Sequence, residues 1–95
     1  MITLDFEPLA ESVEVTSSEL RVRMKDGRAL IVPLSWLPRL LHATDEERAN
    51  WVIIGNGYGI EWPDLDEHVL VEGLFAGRRS QESEKSVNRW LKTRR

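Results

Sequence analysis

The chain reads as a two-layer α+β domain, an antiparallel sheet built from two hairpins with short helices packed on one face. Three observations lead there. Residues 20–32 and 51–62 each place extended, apolar-rich runs on either side of a glycine turn, Asp26-Gly27 in the first and Gly55-Asn56-Gly57 in the second, and such turns supply the positive φ that tight hairpins need. Short segments with helical spacing and capping residues lie between and after these runs. The 95 residues suit a single domain, since domains cluster near roughly 100–150 residues.

In chain order, Ile2, Leu4 and Phe6 alternate with Thr3, Asp5 and Glu7, which predicts an edge strand ended by Pro8. Val13 and Val15 predict a second strand, and Thr16-Ser17-Ser18 a turn. Leu20 to Lys25 then alternates cleanly, and Arg28 to Val32 returns. With Asp26 and Gly27 as the two turn residues, Lys25 pairs with Arg28, Met24 with Ala29 and Val22 with Ile31. That register puts Leu20, Val22, Met24 and Ile31 on the core face. Arg21, Arg23, Lys25 and Arg28 take the other, beside Leu30 and Val32.

Pro33 ends the hairpin. Ser35 is positioned to cap a short helix through Trp36 to Leu41, on which Leu37, Leu40 and Leu41 form one apolar face. Thr44-Asp45-Glu46-Glu47 has the form of a capping box opening a helix to about Asn50. After the second hairpin and Pro63, Asp64 or Asp66 would cap a helix over 69–75, with Gly77 as its stop. Beyond residue 77 the spacing of Val87, Trp90 and Leu91 predicts a narrow apolar stripe on a helical tail. The domain is thus assigned to residues 1–77 and a basic amphipathic tail or helix to 78–95.

Composition narrows the function classes. There is no cysteine, which excludes disulfides, thiolate metal sites and cysteine nucleophiles, and fits a reducing cytoplasm. Residues 1–7 lack the basic region and apolar core of a signal peptide. The longest apolar runs, Ala29 to Val32 and Trp51 to Ile54, fall far short of the roughly 20 residues of a spanning helix. A soluble cytoplasmic protein is expected. The net charge of −3 is unevenly distributed: residues 78–95 hold seven cations against Glu82 and Glu84, a net +5, so the rest carries −8.

Each chemical motif has a structural alternative. Gly55-Asn56-Gly57-Tyr58-Gly59 precedes a β-pattern and has no nearby lysine, so a turn fits it better than a phosphate cradle. Asp64, Asp66, Glu67 and His68 carry ligand atoms for a divalent cation. Their spacing matches neither an EF-hand nor a His-Glu-x-x-His motif, and turn and cap roles for the aspartates, with Glu67 and His68 in water, account for them. Ser35 and His42 do not sit on a nucleophile elbow. No catalytic, cofactor or metal site is therefore assigned. Four tryptophans stand out. Trp36, Trp51 and Trp62 adjoin element ends, where a ring is buried and its N–H stays wet. Trp90 lies in the basic tail and must pack on the domain, on a second copy or on a partner.

The stretches Asp26-Gly27-Arg28, Val32-Pro33-Leu34-Ser35-Trp36-Leu37-Pro38-Arg39-Leu40, Ala43-Thr44, Glu46-Glu47-Arg48 and Asn50-Trp51 come in one order. Gly57-Tyr58-Gly59-Ile60, Trp62-Pro63-Asp64-Leu65-Asp66-Glu67, Gly73-Leu74 and Gly77 continue the series. Over roughly residues 11–77 the chain resembles the bacterial domain of unknown function 2442 family. The resemblance implies a small α+β domain with no established catalytic residues. Family members often accompany a second small protein in a toxin–antitoxin-like arrangement, as its antitoxin-like half. Others carry a DNA-binding helical domain after the shared module, for which residues 78–95 are too short.

The expectation is a non-enzymatic protein-interaction module, antitoxin-like in a two-gene pair. It would bind the product of an adjacent gene, or form a homodimer, through Arg89, Trp90 and Leu91, aromatic and arginine side chains being the usual interface anchors. The alternative is a nucleic-acid-binding or transcription-regulating domain contacting phosphates through Arg21, Arg23, Lys25 and Arg28. No cofactor and no membrane are expected.

Overall fold

The structure, a computed structural model, describes residues 7–94; the strand expected over Ile2, Leu4 and Phe6 lies outside them. The fold is α+β, with two three-stranded antiparallel sheets and a few short helices. Strands β1 (Ala10–Val15), β2 (Glu19–Met24) and β3 (Ala29–Pro33) form the first sheet in sequence order. Strands β4 (Val52–Ile54), β5 (Gly59–Trp62) and β6 (Glu67–Leu70) form the second. Helices α1 (Pro38–Leu41) and α2 (Asp45–Ala49) connect them, and α3 (Val71–Phe75) and α4 (Glu84–Thr93) follow. Both expected hairpins are present, each extended by a third strand.

The register of the first hairpin differs from the sequence reading by one residue. Arg23 pairs with Ala29, Val22 with Leu30 and Arg21 with Ile31. The loop holds three residues rather than two, Met24 N bonding Arg28 O at 2.7 Å and Gly27 adopting φ 93°. Three-residue loops ending in a left-handed residue are the next commonest hairpin form. Because side chains alternate, a slip of one exchanges the faces of the partner strand. Val32 is buried and Leu30 packs against the core, whereas Ile31 is 53% exposed beside Arg21 and Arg23. A bulge at Glu11 in β1 likewise puts Ala10 and Val13, three apart, on the buried side.

Two helical expectations also change. Ser35 caps nothing: Leu34–Trp36 is a single 3-10 turn, and α1 begins at Pro38, whose missing N–H costs nothing in a first turn. Of its apolar face, Leu37 and Leu40 are buried and Leu41 is exposed. The segment after Pro63 is a 3-10 turn closed by Asp66 at φ 50°, and residues 67–70 then extend as β6 instead of joining α3. Pairing with β5 over four positions, Gly59↔Leu70 through Trp62↔Glu67, outweighs the weak helical pattern. The Thr44–Glu47 capping box is present, with both bonds made.

The core gathers residues from both sheets and the intervening helices, including Leu20, Leu34, Leu40, Ile60, Trp62 and Leu65, all fully buried. Trp62 differs from its expected wet-edged role: its Nε1–H donates to Arg48 O at 3.1 Å inside the core. The buried Arg48 guanidinium donates in turn to Leu40 O and Leu41 O at 2.9 and 2.8 Å. It thereby adds to the bonding of carbonyls at the end of α1, Leu40 O also accepting from Ala43 N at 3.3 Å. Among the described residues no helix is long and apolar enough to cross a membrane.

The sheets meet where the Gly55–Gly57 turn lies against β1. Gly57 has φ 106°, and a Cβ there would fall 2.9 Å from Ala10 O. Gly27 shares the unusual dihedral, yet a Cβ there meets nothing within 4 Å. Gly57→Ala is expected to cost about 3 kcal/mol in urea unfolding and Gly27→Ala about 1 kcal/mol, because only the first adds a backbone clash to the dihedral strain. Equal losses would contradict this account of the sheet junction.

Candidate functional site

The last quarter of the chain is folded onto the domain. Arg39, in α1, donates from Nε and Nη2 to the two oxygens of Glu82 at 2.9 and 2.8 Å, and from Nη1 to Leu65 O at 2.7 Å. The pair is largely shielded, with side-chain exposures of 17% and 14%. Such a two-pronged, partly desolvated pair is stronger and more directional than a surface contact. At the far end of α4, Arg94 forms a second two-pronged pair with Glu47, the capping-box residue of α2, with Nη1 2.9 Å from Oε2. The Trp90 ring lies between these anchors, with Arg39 at 5.1 Å and Arg94 at 4.5 Å from its centroid. Val87 is buried beside it, and Trp90 packs against the core cluster.

Of the three residues expected to meet a partner, Trp90 is therefore engaged within the chain and Leu91 is half-buried, while Arg89 is exposed. Arg89 shares the outer face of α4 with Lys85 and Lys92, both exposed, at the i, i+4, i+7 spacing that aligns side chains along one side of a helix. Among the described residues none of these three makes an ion pair.

The four cations weighed for phosphate contact are less available. Arg21 is held by Glu14 and Glu19 at 3.3 and 3.0 Å, Arg28 by Asp26 at 3.2 Å, and Lys25 donates to Asn56 O and Oδ1 at 3.1 Å each. Arg23, exposed on the outer face of β2, has no such partner among the described residues. Asp64 accepts from Asn50 Nδ2 at 2.9 Å, Asp66 closes its turn, and His68 is exposed. Glu67 departs from the solvated role expected of it. It is half-buried, and desolvation, reinforced by nearby Glu82, pushes its carboxyl above the usual range. Ser35 and His42 are both exposed.

A groove of about 380 Å³ runs between β6 and the connector from α3 to α4. Leu37, Val69 and Leu74 line it, with Leu70, Arg78 and Arg79 at its walls. The Arg79 guanidinium lies 5.2 Å from the Trp36 ring centroid, and Ser80 N bonds Trp36 O at 2.9 Å, which fixes the connector wall. The sequence offered no signal for this groove or for the Arg39–Glu82 and Glu47–Arg94 pairs, because 43 and 47 residues separate their members. Glu47 was legible only as a cap.

The two docking carboxylates titrate below their ordinary range. Hydrogen bonds from Arg94, then from the Thr44 backbone, hold Glu47 at about 2 against an ordinary 4.5, and bonds from Arg39, then from Ser86, lower Glu82. A carboxyl with a depressed folded pKa contributes stability above its unfolded pKa and loses it as pH falls through the folded value. The raised Glu67 acts in the opposite sense, its folded form being relieved by protonation. The thermal midpoint is expected to drop as pH falls from about 5 toward 2, and Arg94→Gln is expected to flatten that decline. A variant whose midpoint tracks the parent's through this window would contradict the assignment.

Comparison with known proteins places this geometry in a family. The model for "Protein of unknown function (DUF2442)" matches residues 10–80. A crystal structure of a protein of unknown function from Rhodospirillum rubrum is similar, with 28% identity and a TM-score of 0.69, over 81% of this chain and 95% of that one. The solution structure of the uncharacterized protein CV0863 from Chromobacterium violaceum is also similar, with 26% identity and a TM-score of 0.66, over 85% of this chain and 74% of that one. Comparison with curated proteins gives no match. With most of its length matched, and both solved relatives sharing the fold, the chain belongs to the DUF2442 family.

Proposed function

We propose that the protein is a non-enzymatic interaction module that presents α4 to an acidic face of a protein partner, as the antitoxin-like member of a two-gene pair. The observation that carries the interaction reading is the outer face of α4. Lys85, Arg89 and Lys92 are exposed along about 10 Å of helix. The opposite face is tied down by Trp90, Val87 and the ion pair of Arg94. A helix already held in place loses little conformational freedom on binding, which favours affinity. The two-gene part of the proposal follows the arrangement that the family resemblance implies, with the adjacent gene's product as partner.

A protein partner fits the charge distribution better than a nucleic acid does. Residues 1–77 carry −8, which repels a polyanion laid along the molecule but not a local acidic patch opposite α4. On the β2–β3 hairpin, Arg21, Lys25 and Arg28 are already occupied. The nucleic-acid alternative draws on the same helix face together with Arg23.

Co-expression with the adjacent gene's product, followed by affinity capture, tests the proposal. The parent is expected to retain the partner and Lys85→Glu/Arg89→Glu/Lys92→Glu to lose it, with the thermal midpoint moving only a few degrees because the substituted side chains are exposed. Undiminished capture by the triple variant would contradict the role of α4. Binding of duplex DNA that weakens steeply with salt would favour the alternative.

A further inference from the structure

The groove beside β6 has an open strand edge as one wall. Among the described residues β6 pairs with β5 alone and stands at the edge of its sheet. Val71 N donates to Tyr58 O at 2.9 Å, one step beyond the β5–β6 register. Bonded and non-bonded pairs alternate in an antiparallel ladder, so Ile60↔Val69 and Trp62↔Glu67 exchange the sheet's bonds. The N–H groups of His68 and Leu70 then face outward, and a strand edge left in this state is a template for another chain.

The groove next to that edge is apolar along its floor, with Leu37, Val69 and Leu74. Leu70, at 58%, has the highest exposure among the exposed large hydrophobic residues described. Its ends differ in charge. Arg78 bonds through its backbone to Gly73 O at 2.9 Å and lays its side chain over Gly73, so the cationic end is the one toward α3. At the other end Glu67 lies within the influence of Glu82. Neither Arg78 nor Arg79 has an ion-pair partner among the described residues.

We propose that this groove takes an extended segment of a protein partner, which adds as a strand to β6. The segment seats an aliphatic side chain on the groove floor and sets a carboxylate against Arg78 and Arg79. The proposal rests on the reading of the protein as an interaction module and adds a second contact to that of α4. Main-chain bonds supply affinity in this mode, and the side-chain pocket and terminal charge supply selection.

The test uses the full chain and two labelled, capped peptides of alternating valine and threonine, one begun by two aspartates and the other by two lysines. Binding is read by fluorescence anisotropy and mapped by backbone amide shifts. The aspartate peptide is expected to bind, with shifts at His68, Leu70 and 78–81. Arg78→Glu/Arg79→Glu, both exposed, should weaken it about tenfold or more, the scale of a lost charged hydrogen bond, and should favour the lysine peptide. Methylating alternate peptide nitrogens should abolish binding. Absence of binding, equal binding of the two peptides, shifts elsewhere, or full displacement by acetate would each overturn the proposal. The α4 triple variant leaves this groove intact, so a peptide that fails while partner capture persists removes the groove proposal alone.

Discussion

The arrangement of the last quarter of the chain depends on Arg39. One planar guanidinium bonds Leu65 O, both carboxylate oxygens of Glu82, and the face of the Trp90 ring. It thus ties α1, the turn after β5, the connector and α4 to one point. Arginine suits this position because its fork of donors is rigid and retains its charge when partly desolvated. Lysine would offer a single point of charge and could not serve three differently placed acceptors and a ring at once. Loss of either partner would leave the other charged in a poorly hydrated place, and this makes the geometry selective.

The exposed features follow from that constraint. With Glu82 fixed, the connector residues 78–81 stand opposite β6 and a groove remains between them. With Trp90 turned inward, Lys85, Arg89 and Lys92 turn outward. The acidic body attracts the basic tail at long range, and two ion pairs of opposite sense hold it, Glu47 of the body with Arg94 and Arg39 of the body with Glu82. The tail is neutralised where it touches the domain and remains cationic where it faces solvent.

Local chemistry was legible in the sequence. The α+β class, both glycine-turn hairpins, the Thr44–Glu47 capping box and the stripe of Val87, Trp90 and Leu91 depend on residues a few positions apart. Features set by geometry at a distance were not. The hairpin register turned on whether its loop held two or three residues, a choice that Asp26-Gly27 permits either way, and it moved Ile31 from the expected core to solvent. Val69 and Leu70, the second half of β6, fit a helical period over 69–75 as well as a strand, and only pairing with β5 settles the matter. Arg39 and Glu82 lie 43 residues apart, and nothing local to either names the other. The candidate site was correspondingly half visible: Arg89 could be named, whereas Lys85 and Lys92 gained meaning only when Trp90 was seen to face inward.

Amide hydrogen exchange on Arg39→Ala tests the dependence on this residue most directly. Loss of the Arg39 contacts is expected to strip protection from α4 while β2 and β5 keep theirs, since local opening follows the contacts that are removed. Protection of α4 unchanged from the parent, or lost together with that of both sheets, would contradict the account.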